Sequence, residues 1–173
     1  MAALRPVRYL EISPRQTGKT ERLVQDATYQ HVVNNKKIVL VGMRMSWARD
    51  LMPFVYAAGE SEDEVLRQIG GRAKPEELMW YYDEFDHMRS RFSIRENGYY
   101  CTTAKYVRTF SKEHPEAILT DQLLQLVDGN GGVYATSAHN PLKRSSLAKH
   151  VRDIHPDAIK TELNGQLIAF EAS

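Results

Sequence analysis

"VRYLEISPRQTGKTERLVQ" (residues 7–25) is the stretch on which the fold turns. Its first seven residues alternate and carry Val7, Tyr9 and Ile12, the pattern of a strand. From Gly18 to about Val33, apolar or small residues recur at Val24, Ala27, Thr28 and His31, which is helical spacing. Between strand and helix lies Ser13-Pro14-Arg15-Gln16-Thr17-Gly18-Lys19-Thr20. The general phosphate loop reads G-x-x-x-x-G-K-[ST], and this stretch meets it with Ser13 at the first glycine position. A loop leading into a helix aims successive backbone N–H groups at one point, where an anion can sit. In that role Gly18 lets the backbone approach closely, Lys19 reaches the β- and γ-phosphates, and the Thr20 hydroxyl binds Mg²⁺. Taken alone, the stretch also fits a plain turn with an exposed lysine.

Outward from this loop, "KIVLVGM" (37–43) is a continuous apolar run of the kind found in a parallel-sheet strand buried on both faces. Pro53 splits "WARDLM" from "PFVYAAG" into two short pieces. "SEDEVLRQIGG" has the capping-box spacing at Ser61 and Glu64 and ends in Gly-Gly, so it reads as a helix. "LMWYYDEFD" (78–86) is an aromatic strand ending in acids, and "NGYYCTTAKYV" reads as another strand. Helical spacing returns at Ile118, Leu119, Gln122, Leu123 and Leu126, followed by a short strand "GVYATS" (132–137) and a helix "PLKRSSLAKHVRDI" (141–154). Asn164-Gly165 between two alternating runs signals a C-terminal β-hairpin. Buried-type strands alternating with helices predict an α/β fold, a three-layer αβα sandwich on a mostly parallel sheet, with residues 1–173 as a single domain.

A second motif changes the weight of the first. Asp83 and Glu84 close the apolar strand "WYYDEF"; taken alone, the acids fit a solvated turn better. The run nevertheless resembles the Walker B motif of ATPases, which implies Mg²⁺ held by Asp83, directly or through water, and an attacking water polarised by Glu84 as general base. Together, "RQTGKT" and "WYYDEFD" look like the additional-strand catalytic-glutamate class of P-loop NTPases, Walker A and Walker B in that order. The run Pro14-Arg15-Gln16-x-Gly18-Lys19-Thr20 is most similar to the ATPase core of viral terminase large subunits, the DNA-packaging motors, and to some helicases. The resemblance covers roughly residues 7–140 and lacks the nuclease part of a full terminase.

That resemblance implies ATP and Mg²⁺ as ligands and ATP hydrolysis coupled to nucleic acid, double-stranded DNA in the packaging motors. It also implies a homo-oligomer or larger motor assembly. It makes Arg15 an arginine finger acting in cis on the γ-phosphate, with a solvent-facing loop arginine as the other reading. It calls for a polar strand tip that senses the γ-phosphate, which "VYATSAHNP" supplies as Thr136 and Ser137, on a strand expected between the Walker A and Walker B strands. The same resemblance makes Arg44, ending the second strand, a contact to the nucleotide or the nucleic acid, with a solvated arginine as the other reading. A small-molecule or nucleotide kinase, and a nucleotide-dependent switch or adaptor with weak hydrolysis, are the competing functions.

Composition narrows the field less. A net charge of +1 gives no overall basic field for nucleic acid, though local patches remain possible. The lone cysteine, Cys101, reads as a small buried residue, and the histidines show no metal-site spacing. Trp47 and Trp80 read as core packing. With neither a membrane-length apolar run nor a signal-peptide pattern in the sequence, a cytoplasmic location is expected (host cytoplasm for a viral protein).

Overall fold

Apolar runs with no polar face must be covered on both sides, and their backbone groups are satisfied only by neighbouring strands. "KIVLV" and "LMWYYD" meet that requirement at the centre of the sheet. The structure is a computed structural model that describes residues 6–105, 108–111, 119–131, 134–135 and 168–171.

The chain runs β1 (Tyr9–Ile12), α1 (Lys19–Asn34), β2 (Lys37–Val41), α2 (Met45–Leu51), β3 (Ala57–Gly59), α3 (Glu62–Ile69), β4 (Leu78–Asp83) and β5 (Tyr99–Thr102). The five strands form one sheet in the order β1-β5-β4-β2-β3, and every neighbouring pair is parallel. Further on come β6 (Arg108–Ser111), α4 (Gln122–Gly129) and β7 (Ile168–Glu171).

Alternation along the strands divides the core in two. Ile38 and Leu40 of β2 pack with Met79 and Tyr81 of β4 against Leu23 and Ala27 of α1 and Ala48 of α2. Val39 and Val41 pack with Trp80 and Tyr82 against Val65 and Ile69 of α3 and Leu123 and Val127 of α4. Each fully buried aliphatic side chain contributes about 1.5–3 kcal/mol. The chain steps toward the β3 edge through α1 and α2 on one face, and returns through α3 on the other. A single hand of crossover requires this arrangement.

Helix ends follow the local chemistry. Ser61 Oγ accepts the Glu64 N–H at 3.3 Å, but the Glu64 carboxylate turns to the Glu60 N–H at 3.1 Å, so only half of the expected capping box forms. Asp121 caps α4 by accepting the N–H groups of Leu123 (3.0 Å) and Leu124 (3.2 Å). α1 differs: Gly18 precedes it with φ 86° and supplies no side-chain cap.

One expectation about the sheet needs correcting. The position between β1 and β4 belongs to β5, not to the segment 132–137. Ala135 instead bridges Glu11 from the far side of β1, accepting the Ile12 N–H at 2.9 Å and donating to Leu10 O at 2.8 Å. The physical reason is that each strand has two hydrogen-bonding edges, and Tyr99–Thr102 already takes the inner edge of β1. At the C-terminus, β7 pairs in parallel with β6. Asn164-Gly165 and the helix expected at 141–154 lie outside the described residues. Among the described residues, no helix is long and apolar enough to cross a membrane.

Candidate functional site

The C-terminal ends of β1, β5 and β4 bring most of the expected site residues together. Lys19, in the first turn of α1, is only 4% exposed. Its ammonium donates to Thr103 Oγ1 at 2.7 Å and Pro14 O at 3.2 Å, and lies 3.3 Å from Glu84 Oε1. One residue on, Thr20 Oγ1 donates to Asp83 Oδ2 at 3.2 Å. A lysine and a threonine from the first turn of α1 thus face Asp83, the last residue of β4, and Glu84, the residue after it.

The loop itself curves by two left-handed residues, Gln16 at φ 59° and Gly18 at φ 86°. Glycine adopts that conformation without strain, whereas glutamine does so at some cost. Pro14 O ties the loop by accepting the Thr17 hydroxyl at 2.8 Å as well as Lys19. Ser13, at the usual glycine position, is buried with its side chain turned inward: Oγ donates to Glu11 Oε1 at 2.8 Å, and its N–H donates to Thr102 O at 3.1 Å. It acts as a brace rather than as part of the loop's concave surface. Arg15 and Gln16 are exposed.

Beneath the loop is a feature that the sequence reading missed. Glu11 is 0% exposed in the middle of β1. Both of its oxygens face the Arg22 guanidinium, one from Arg22 Nε at 3.2 Å and the other in a closer ion pair with NH2. Arg22 NH1 also donates to Thr17 O at 2.8 Å, so this pair anchors the loop from below. Hydrogen bonding to Glu11 holds the Arg22 pKa above its ordinary value, despite some opposing desolvation.

Glu84 has φ 49° and ψ 44°, a left-handed backbone that is uncommon for a residue with a Cβ. This turns its carboxylate back along the sheet edge. Oε2 accepts the Thr103 N–H at 2.9 Å and lies 3.4 Å from the Thr102 hydroxyl. Thr103 therefore touches Lys19 with its hydroxyl and Glu84 with its amide. His87 Nε2 lies 2.9 Å from Thr103 O and 3.9 Å from Glu84 Oε2. Thr102, at the end of β5, and Thr103, the residue after it, thus bring two threonine side chains to this edge of the sheet. Thr136 and Ser137 lie outside the described residues.

Asp83 is 5% exposed. Burial pushes its carboxyl up, and the Glu84 charge adds to this, against hydrogen bonds from the Cys101 thiol (3.3 Å) and Thr20 and the Lys19 charge. Cys101 is fully buried as expected, and burial beside Asp83 pushes its thiol well up, so it stays protonated. Gly42, at the end of β2, packs directly beneath: a Cβ there would lie 2.1 Å from Asp83 O, and φ is +107°.

Trp80 and the β4 and β5 tyrosines are buried as expected, but Trp47 is 62% exposed, contrary to the core reading. Ala48 is the buried residue of α2, and Trp47 before it points outward. Arg44 is exposed and paired with Glu60 at 2.9 Å. No known protein family, curated protein or solved structure matches the chain.

Proposed function

We propose that the chain is a P-loop ATPase of the additional-strand catalytic-glutamate class, hydrolysing ATP with Mg²⁺ to drive work on nucleic acid. The observation that carries this reading is the convergence of Lys19, Thr20, Asp83, Glu84 and Thr103 at the ends of β1, β4 and β5. The sequence resemblance calls for a polar-tipped strand between the two motif strands, and β5 stands there. A uniform lysine-bearing turn would have no reason to bury its ammonium against a carboxylate.

In this reading Lys19 exchanges Pro14 O, Thr103 Oγ1 and Glu84 Oε1 for phosphate oxygens, and the N–H groups at the uncapped start of α1 hold the phosphate chain. Thr20 Oγ1 and Asp83 Oδ2 are hard oxygen donors side by side, and they fit Mg²⁺, which takes one or two protein oxygens and fills its remaining positions with phosphate and water. The bound ion would neutralise charge on the phosphates. Once released by Lys19, the Glu84 carboxylate accepts a proton from the attacking water as its oxygen bonds to the γ-phosphorus and the bond to the ADP oxygen breaks. The Thr103 N–H fixes which carboxylate oxygen faces inward. Arg15, exposed on the loop, is assigned to charge on the γ-phosphoryl oxygens.

The test is ATP titration and steady-state hydrolysis with Mg²⁺, for the parent and Lys19→Ala, beside a thermal melt. Lys19→Ala should abolish tight ATP binding while the domain stays folded. Unchanged affinity for ATP would remove the phosphate-loop assignment.

A further inference from the structure

Glu84 sits on a left-handed backbone, φ 49°, and its carboxylate stays aimed only while its neighbours hold it. In the cycle proposed above, Lys19 leaves both Glu84 Oε1 and Thr103 Oγ1 for phosphate oxygens. The carboxylate keeps the Thr103 N–H, at 2.9 Å, but Thr103 has then lost the ammonium that tied its hydroxyl. A group that holds Thr103 at that moment also holds Glu84.

His87 is placed to do this. It ends the short turn Phe85–His87 that follows Glu84. Its N–H donates to Glu84 O at 2.9 Å and closes the turn. Its ring Nε2 lies 2.9 Å from Thr103 O. A carbonyl oxygen only accepts, so Nε2 carries the proton. The bonds make a closed circuit: from the Glu84 backbone through His87 to Thr103, and from the Thr103 N–H back to the Glu84 carboxylate. Asp86 fastens the same turn beside it, donating its N–H to Thr102 Oγ1 at 3.2 Å and accepting the Lys105 N–H at Oδ2 at 2.6 Å. The turn is therefore laced to residues 102–105, and the His87 ring is the lace that reaches Thr103.

The same geometry rules the ring out as a direct proton acceptor for Glu84. Nε2 is 3.9 Å from Glu84 Oε2, beyond hydrogen-bond reach, and its proton is already in place. The ring is 31% exposed and lines a cleft of about 550 Å³ between the ends of β2 and β4, with Gly42 and Glu84 among the other lining residues. That space admits a free imidazole from solution.

We propose that His87 is a positioning residue for Glu84: through Thr103 it keeps the carboxylate turned to the attacking water after Lys19 has moved to the phosphates. The role rests on the ATPase reading. The experiment uses the full chain with Mg²⁺, measuring ATP affinity by titration and single-turnover hydrolysis of pre-bound ATP. His87→Leu should slow hydrolysis about 10- to 100-fold, the effect of a small misplacement of the base. ATP affinity should stay at the parent value, because the ring bonds to Thr103 and not to the phosphate loop. His87→Gln, whose amide N–H replaces that of Nε2, should recover most of the rate, and added imidazole should recover part of it in His87→Ala. A residue needed only for folding would show neither the split between rate and affinity nor the rescue. In a Glu84→Gln background His87→Leu should slow hydrolysis no further, since both changes act on one base. Parent-like hydrolysis in His87→Leu would overturn the proposal, as would a full additional loss in the Glu84→Gln background. So would failure of both the glutamine and imidazole to restore the rate, and these two arms carry the test if His87→Leu does not fold. A parent that does not hydrolyse ATP sinks the ATPase reading and this role with it, whereas an active parent with an unaffected His87→Leu variant sinks this role alone.

Discussion

Removing the Arg22 guanidinium should destabilise the protein and loosen the loop that it never touches from the ligand side. Glu11 is 1% exposed at its side chain, whereas Arg22 is 35% exposed. Stripping one partner from a fully buried ion pair costs about 3–5 kcal/mol, because the remaining charge is stranded. Solvent already screens part of this pair, and the hydroxyls of Ser13 and Tyr9 still reach Glu11, so Arg22→Ala should cost about 2–3 kcal/mol. For a chain of this size that is a fall of about 4–12 °C in Tm. Against a total stability of about 5–15 kcal/mol the variant stays folded. The decisive comparison is a double-mutant cycle by thermal and urea unfolding. Glu11→Gln alone should cost less, since an amide needs no counter-charge. Glu11→Gln in the Arg22→Ala background should return most of the loss. ATP affinity should fall in Arg22→Ala and recover in part in the double variant, because Thr17 O loses its donor and Ser13 its fixed acceptor. A loss of less than about 0.5 kcal/mol in Arg22→Ala, or additive effects in the cycle, would refute the brace.

Three further outcomes follow from the site. Glu84→Gln should keep ATP binding and lower turnover by about 10²–10⁴, measured by single-turnover hydrolysis; normal turnover would remove Glu84 as the base. Thr103→Val deletes an acceptor from a buried ammonium, so without nucleotide it should cost about 1.5–3 kcal/mol. That deficit should shrink in melts with ATP and Mg²⁺, when phosphate replaces the hydroxyl, and an unchanged deficit would contradict the exchange. The Asp83 carboxyl is raised in the folded state, chiefly by burial. A raised acid favours the folded state at low pH and withdraws that contribution as pH rises from its unfolded value through its folded one. Asp83→Asn should flatten that part of the stability profile in chelator and abolish stabilisation by Mg²⁺ with ATP. A variant still stabilised by the ion would place the metal elsewhere.

What the sequence revealed and what it hid follow from the range of each interaction. β2 and β4 were readable because a strand covered on both faces has to be apolar throughout, and Gly18-Lys19-Thr20 because a helix start is a local event. Strand order is not local. Thr136-Ser137 and Thr102-Thr103 both end strand-like runs in hydroxyls, and only the ladder from Tyr9–Ile12 to Tyr99–Thr102 assigns the inner position. The signal for β5 was its place as the next strand after Asp83. Glu11 looked like an ordinary polar position in an alternating strand, and nothing in its neighbours announced a partner eleven residues away across a turn. Trp47 was read as core because tryptophan usually is; its outward position depends on which face of the short helix α2 meets the sheet.

Gly42 carries a consequence for any survey of tolerated substitutions. It reaches no expected ligand, yet an alanine there would collide with the Asp83 carbonyl and force the β2 and β4 ends apart. In a saturation library scored by activity it would rank beside Lys19 and Glu84, and a map drawn from that score would place it in the chemistry. Scoring the same library for abundance would expose the difference, because substitutions at Gly42 should deplete folded protein, whereas a silent loop ligand should remain plentiful.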